Sequence, residues 1–395
     1  MSRKKIFLIL VALALSARLM REAYFHSIDL HVYWRAVHLW LDGVSPYIYD
    51  TSDGGNVYKY PPFTIPLFLP LGFISFDFTK WLWVIFEILS IGYCIKWVIR
   101  AGASAGVTLA VAGLFWWTWL GHVFAGQISI FMMLAALWTV PPEEDREISP
   151  AKASFLAIVF STKVYSVFTL LGILKTYLKR RTILITVVSV VLLEAIVFAV
   201  FRARGNPVSF LELHQTWITA AKSGAAELHS NVIRGPGNHS FTAALLRWFN
   251  VDGLDSNKDG YVALGLGIFF SGLWFHFSRG LSRAERWAGW IGVGLIIHPL
   301  LWHHSIVMAF PICALAVDRA IRSGSRYLIG LSWLSVFLVA VLIPNLFGPD
   351  FVNPIELLGS KSWGILFAGV TLVIRNRLLP KSPEVRHFAE QPSLN

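Results

Sequence analysis

Asp29 opens the stretch Asp29-Leu30-His31-Val32-Tyr33-Trp34-Arg35, and it is one of few ionisable residues in an apolar chain. A carboxylate beside a cavity can take a proton from a hydroxyl, whereas one at a helix start can cap exposed N–H groups. Lys163 sits between the apolar runs 153–162 and 164–178. An ammonium flanked by apolar sequence on both sides requires a partner or an anion more than it suits snorkelling. In His298-Pro299-Leu300-Leu301-Trp302-His303-His304 no carboxylate or third His stands at ligand spacing beside the His pair, so contact with a phosphate is preferred over a metal. Gly126-Gln127-Ile128-Ser129 follows His122 at the tip of an expected helical hairpin, and Asn238-His239-Ser240 precedes Arg247. In Tyr58-Lys59-Tyr60-Pro61-Pro62 the rings and the lysine suit interfacial anchoring, and equally sugar stacking and phosphate attraction. Asp255-Ser256-Asn257-Lys258-Asp259-Gly260 imitates half a calcium loop, but Leu266 stands where the closing Glu belongs, which favours a solvated turn.

The elements that position these residues must be membrane helices. Of 395 residues 55% are hydrophobic and 14% charged, and a soluble domain carries about 25% charged residues. The composition excludes a water-soluble single-core enzyme and a disordered chain. Cys94 and Cys313 lie in apolar runs and read as buried small hydrophobes. Spans of roughly 17–25 apolar residues predict about twelve crossings. They are 6–23, which lacks a small-residue cleavage site and so reads as a retained helix, then 81–98, 107–124, 128–140, 153–162 with 164–178, 183–201, 262–277, 287–301, 306–317, 328–343 and 363–374. Several are short, as expected for helices that end on an internal cavity. The proline-broken run 63–75 is expected to pack against the outer surface or to re-enter it.

Loop charge sets the direction. With both termini in the cytoplasm, the cytoplasmic pieces hold 21 Lys/Arg against 8 Asp/Glu, and the outer side is balanced at 13 of each. The net +11 is therefore a topology signal, and no nucleic acid is needed to explain it. The outer loops are 24–80, 202–261 and 344–362, and nearly all the unusual polar residues fall in them or at the outer ends of the helices. The first begins with an amphipathic helix over 29–41, apolar at 30, 33, 34, 37, 40 and 41, suited to the interface plane. Cytoplasmic loops carry no Gly-rich nucleotide cradle. Residues 1–378 read as one integral membrane domain and 379–395 as a cytoplasmic tail.

Taken in order, Asp29 with Tyr33, Gly43-x-Ser45-Pro46-Tyr47, Tyr60-Pro61-Pro62, Gly126-Gln127, Lys163-Val164-Tyr165, Asn238-His239-Ser240 with Arg247, and Trp302-His303-His304 resemble glycosyltransferase family 87. These are integral-membrane enzymes of the GT-C class that include polyprenyl-phosphate-mannose-dependent α-mannosyltransferases. The chain departs from the pattern at His239, where members often carry Gln, and at Ser166, where they carry Pro. The resemblance implies an all-α, polytopic, GT-C-like fold and a metal-independent enzyme without cofactor. It implies a polyprenyl-phosphate sugar donor, a glycolipid or glycan acceptor, and inversion with Asp29 as general base. Lys163, His303 and His304, with Arg247 or Lys59, would stabilise the lipid phosphate as it leaves; His31, Tyr33, Tyr60, Gln127, Asn238 and Trp302 would orient sugar and acceptor. A monomer is expected. The alternative from another class is a transporter or flippase of a lipid-linked sugar, which would show internal repeats and polar groups near mid-bilayer. A ligase or polymerase of lipid-linked oligosaccharides would share the topology and differ in product length.

Overall fold

The computed structural model describes residues 14–22, 24–48, 56–232, 237–249, 256–298 and 301–378. The start of the expected first crossing and the tail 379–395 lie outside the described residues, as does Asp255 of the calcium-like turn, whose remainder opens the helix Ser256–Phe277. The described residues are all-α: helices and 3₁₀ segments with no strand, joined at one point by an isolated antiparallel bridge between Asn238 and Trp302.

Among the described residues three helices are long and apolar enough to cross a bilayer, Phe76–Arg100, Arg180–Ala203 and His303–Ser323. Two bent pairs raise this to five: Ala105–Leu114 with Trp116–Ala125, bent by 55°, and Pro349–Leu357 with Ser360–Arg377, bent by 63°. The remaining apolar helices have 10–17 residues. The expected continuous span 107–124 is thus a broken one, and the span expected at 306–317 begins earlier, as the 3₁₀ turn His303–Ala309 leading into Phe310–Ser323.

The loops expected on the outer side hold more helix than the sequence suggested. Residues 202–261 contain Phe210–Val232 and Phe241–Trp248, and 344–362 contains Pro344–Phe347 and Pro349–Leu357. Phe210–Val232 starts on a reciprocal cap, in which the Glu212 N–H donates to Ser209 Oγ (3.2 Å) and the Ser209 N–H to Glu212 Oε2 (3.4 Å). Leu213, Trp217 and Ala220 recur at helical spacing on its inward side. Polar composition hid that helix.

The amphipathic helix forms over Ile28–Leu41, burying Leu30, Tyr33, Ala36, Val37 and Trp40. Its C-terminal end is tied to the long helix Arg180–Ala203: Trp40 Nε1 donates to the Val197 carbonyl (3.1 Å), Arg204 Nε to that of Leu41 (2.7 Å) and Asn206 Nδ2 to that of Gly43 (2.7 Å). Residues Pro62–Phe73 form a 3₁₀ helix, because Pro66 and Pro70 lack the N–H an α-helix interior needs. It packs on the amphipathic helix, with Gly72 against Val37 and Leu41.

The N-terminal end is held by two interlocked turns. Gly126, between the helices Trp116–Ala125 and Ser129–Thr139, has φ +66°, and an added Cβ would stand 2.9 Å from Leu30 Cβ and 3.2 Å from Ser27 Cα. Ser27 also adopts a left-handed φ of 60°, and its N–H donates to the Phe124 carbonyl at 2.9 Å. Gly205 shares the left-handed backbone (φ +73°) with nothing within 4 Å of an added Cβ, which makes it a matched control. Gly205→Ala should cost about 1–2 kcal/mol from backbone strain alone. Gly126→Ala should cost roughly 1–3 kcal/mol more through overpacking. Thermal unfolding of the two purified variants measures the difference, and equal midpoints would mean that the hairpin tip does not bear on the amphipathic helix.

Candidate active site

The interlocked turns bring Gln127 against Asp29. Gln127 Nε2 donates to Asp29 Oδ2, and its Oε1 faces Lys163 Nζ at 3.4 Å. One planar amide thus presents its donor to the carboxylate and its acceptor to the ammonium. Lys163 Nζ also donates to Ser129 Oγ (2.9 Å) and Ser305 Oγ (3.3 Å), so two other chain segments, 127–129 and the turn at Ser305, converge on it. Lys163 occupies the break between the helix Pro150–Ser161 and the 3₁₀ segment Val164–Ile173. That segment is fixed where Gly172 lies against Trp287 and Trp290, with Trp290 Cδ1 2.6 Å from the position of an added Cβ.

Burial pushes the Asp29 carboxyl above its ordinary pKa, opposed by the Gln127 hydrogen bond and by the positive charges of Lys163 and Lys59. Burial lowers the Lys59 ammonium, opposed by Asp29. Both lysines therefore act on the same carboxylate from different segments. Tyr33 and Tyr60 share a hydrogen bond between hydroxyls at 3.0 Å, and burial drives both phenols well above their usual pKa, with Asp29 adding to it. They remain neutral and able to donate and accept. Tyr60 is fixed by Tyr47, whose hydroxyl donates to its carbonyl at 2.8 Å, while the Lys59 carbonyl accepts from Trp217 Nε1 at 2.9 Å. The His31 ring stacks near Trp34 and meets Phe76 edge-on.

The neighbouring residues His303 and His304 part company. His304 has Lys163 and His122 among its electrostatic neighbours, and its ring is stacked with Trp302 at 6.3 Å. His303 turns to the far side, 6.0 Å from the His239 ring and against Gly121. Asn238 and Arg247 are engaged in holding loops. Asn238 Oδ1 accepts from the N–H groups of Leu301 (3.1 Å) and Ser240 (3.2 Å). Arg247 donates from Nε to the Leu357 carbonyl (2.7 Å) and from Nη1 to the Asn238 carbonyl (3.2 Å). These bonds, with the Asn238–Trp302 bridge, seat the strip that carries Trp302, His303 and His304.

Two buried pairs escaped the sequence reading. Glu87 Oε1 lies 3.0 Å from His122 Nδ1, and His122 Nε2 accepts the Ile130 N–H at 3.1 Å, which braces the hairpin tip from below. Lys361, wholly buried, lies 3.5 Å from Glu356 and donates to the Leu342 carbonyl. Lys361 stands between Ser360 and Ser362, so the flanking apolar sequence that singled out Lys163 is missing on both sides; the one signal is a lone ammonium just ahead of the apolar run 363–374. Among the described residues no group of three or more His, Cys, Asp or Glu is arranged to hold a metal.

The sequence profile of glycosyltransferase family 87 matches residues 58–344. The chain is also 25% identical over 365 residues to a polyprenol-phosphate-mannose-dependent α-(1-2)-phosphatidylinositol pentamannoside mannosyltransferase of Mycobacterium tuberculosis (strain CDC 1551 / Oshkosh), covering 88% of this chain and 78% of that one. No solved structure gives a significant match. The match covers most of the chain, includes Lys163, Asn238 and the Trp302 strip, and begins after Asp29. The chain belongs to glycosyltransferase family 87 and is an integral-membrane glycosyltransferase.

Proposed function

We propose that the protein moves a sugar, with mannose the expected one, from a polyprenyl-phosphate donor to a hydroxyl of a glycolipid or glycan, with inversion. The observation that carries this reading is the row Asp29, Gln127, Lys163, a carboxylate and an ammonium held on the two ends of one amide. Asp29 takes the proton of the acceptor hydroxyl as that oxygen attacks the anomeric carbon. The bond from that carbon to the phosphate oxygen breaks, and its electron pair leaves with the lipid phosphate. The negative charge growing on the phosphate is met by Lys163, with Lys59 and His304 beside it. Tyr33, Tyr60, His31, Gln127 and Trp302 orient the sugar, while Asn238 and Arg247 act by seating the strip that bears Trp302 and His304. No metal enters this scheme. The relative's polyprenol-phosphate-mannose donor and its phosphatidylinositol-linked acceptor support the substrate classes. About twelve crossings in a single domain over 1–378, cytoplasmic termini, an outward-facing site and a monomer complete the proposal, supported by the charge asymmetry of the loops.

Purified protein incubated with radiolabelled polyprenyl phosphomannose and a membrane-lipid extract should give a labelled glycolipid. Asp29→Asn should lower kcat by at least about a hundredfold while leaving donor affinity and melting temperature unchanged. Full activity would remove Asp29 from the mechanism. The pH dependence of kcat/KM provides a second check. Activity requires ionised Asp29 and should fall as pH drops through its raised pKa. Lys163→Met removes a cation that favours the ionised form, so in that variant the residual acid limb should move to higher pH. A limb that stays in place would uncouple Lys163 from the base.

A further inference from the structure

A recess with polar residues at one end and an almost wholly apolar lining at the other runs along residues 14–22 and the helix Trp116–Ala125. The first end is a chamber of about 540 Å³ in which His239, His303, Asn345, Asn353, Glu356, Arg18 and Glu22 share the wall with apolar residues such as Leu120, Phe124 and Ile343. The apolar end is a groove of about 720 Å³ lined by residues such as Leu15, Leu19, Ile91, Leu109 and Trp116. The two adjoin: Trp117 lines both, and three stretches contribute to each. Residues 14–22 give Arg18 and Glu22 to the chamber but Leu15 and Leu19 to the groove. The helix Trp116–Ala125 divides in the same way, with Gly121 and Phe124 on one side and Trp116 and Trp119 on the other. So does 341–346, with Asn345 on the chamber and Val341 and Leu346 on the groove.

The chamber wall is chemically unlike the Lys163 cluster. Its charges are balanced against each other, with Arg18 2.7 Å from Glu22 and Lys361 3.5 Å from Glu356, so it offers a phosphate no uncompensated cation and two carboxylates to avoid. His239 Nδ1 is buried with no hydrogen-bond partner among the described residues. Burial, with the charge of Lys361 nearby, holds this imidazole well below its ordinary pKa and therefore neutral, with one N–H and one lone pair. Neutral imidazole and amide groups both donate and accept and a carboxylate accepts, a mixture that matches the hydroxyls of a sugar. Phe124 lines the chamber and accepts the Ser27 N–H through its carbonyl, so the chamber wall is bonded to the chain two residues before Asp29.

We propose that this recess is the binding site of the lipid-linked acceptor, with its polyol head in the chamber, its hydrocarbon chain in the groove and a hydroxyl turned to Asp29. The proposal rests on the transferase reading of the Asp29 cluster and leaves the donor phosphate at Lys163. The acceptor is thus an amphiphile held at both ends by a preformed surface.

Two measurements on the full-length protein in nanodiscs test it. Dodecyl α-mannoside bearing a diazirine at the chain end should label peptides spanning residues 88–119, and both Asn353→Ala and His239→Phe should weaken that labelling. Labelling no greater there than on the outward-facing helix Arg180–Ala203, and unchanged in the variants, would overturn the site. With polyprenyl phosphomannose as donor and dodecyl α-mannoside as acceptor, each variant should raise the acceptor KM about tenfold, the loss of one buried hydrogen bond, with donor KM unchanged. A raised donor KM with an unchanged acceptor KM would make the chamber a donor site and overturn the proposal. Specific labelling without transfer from any lipid-phosphate sugar would overturn the transferase reading alone, whereas transfer without specific labelling would overturn the recess alone.

Discussion

A single side-chain amide reconciles two charges that would otherwise be costly to bury. Asp29 is desolvated enough for its pKa to rise, and Lys163 lies where a helix breaks within apolar sequence. An unpaired charge in such surroundings is strongly disfavoured. Gln127 donates to one and accepts from the other, which supports both without letting them collapse into a direct ion pair. A direct pair would leave neither the carboxylate ready for a proton nor the ammonium ready for a phosphate. The rest of the architecture follows from keeping that amide in place: the left-handed Gly126, the Ser27 turn it meets, and the Glu87–His122 brace beneath.

The broken helices serve the same end. A continuous α-helix leaves unbonded backbone and polar tips only at its ends, so a cavity inside a helical membrane protein is built where helices stop. The segments at Lys163, at Gly126 and at His303 all stop or change pitch at the level of the polar cluster. The apolar helices Ser129–Thr139 and Pro150–Ser161 that end on the cluster are shorter than a crossing because the missing turns have been given up to the site.

The sequence disclosed what depends on contrast. Asp29, Lys163 and the His pair stood out because charge and imidazole are rare in an apolar chain, and the amphipathic helix because its period is regular. Direction of pointing was not legible. Arg247 reads as a phosphate ligand by type, yet its guanidinium is occupied by the carbonyls of Leu357 and Asn238; the His pair reads as one unit, yet its rings serve two different spaces. Glu87 and His122 are 35 positions apart, so nothing local announces their contact. Phe210–Val232 was lost for the opposite reason, since its polar side chains resemble loop while its cap and inward stripe are helical.

Asp29 rides on a helix anchored at its far end to Arg180–Ala203, a span whose buried side chains are confined to Thr182, Val197 and Phe201. A helix so bathed in lipid sets its tilt by matching its apolar length to bilayer thickness. Three hydrogen bonds then transmit that tilt to the far end of the helix that carries the carboxylate. The depth at which Asp29 is held is therefore a mechanical property shared between the protein and the membrane around it.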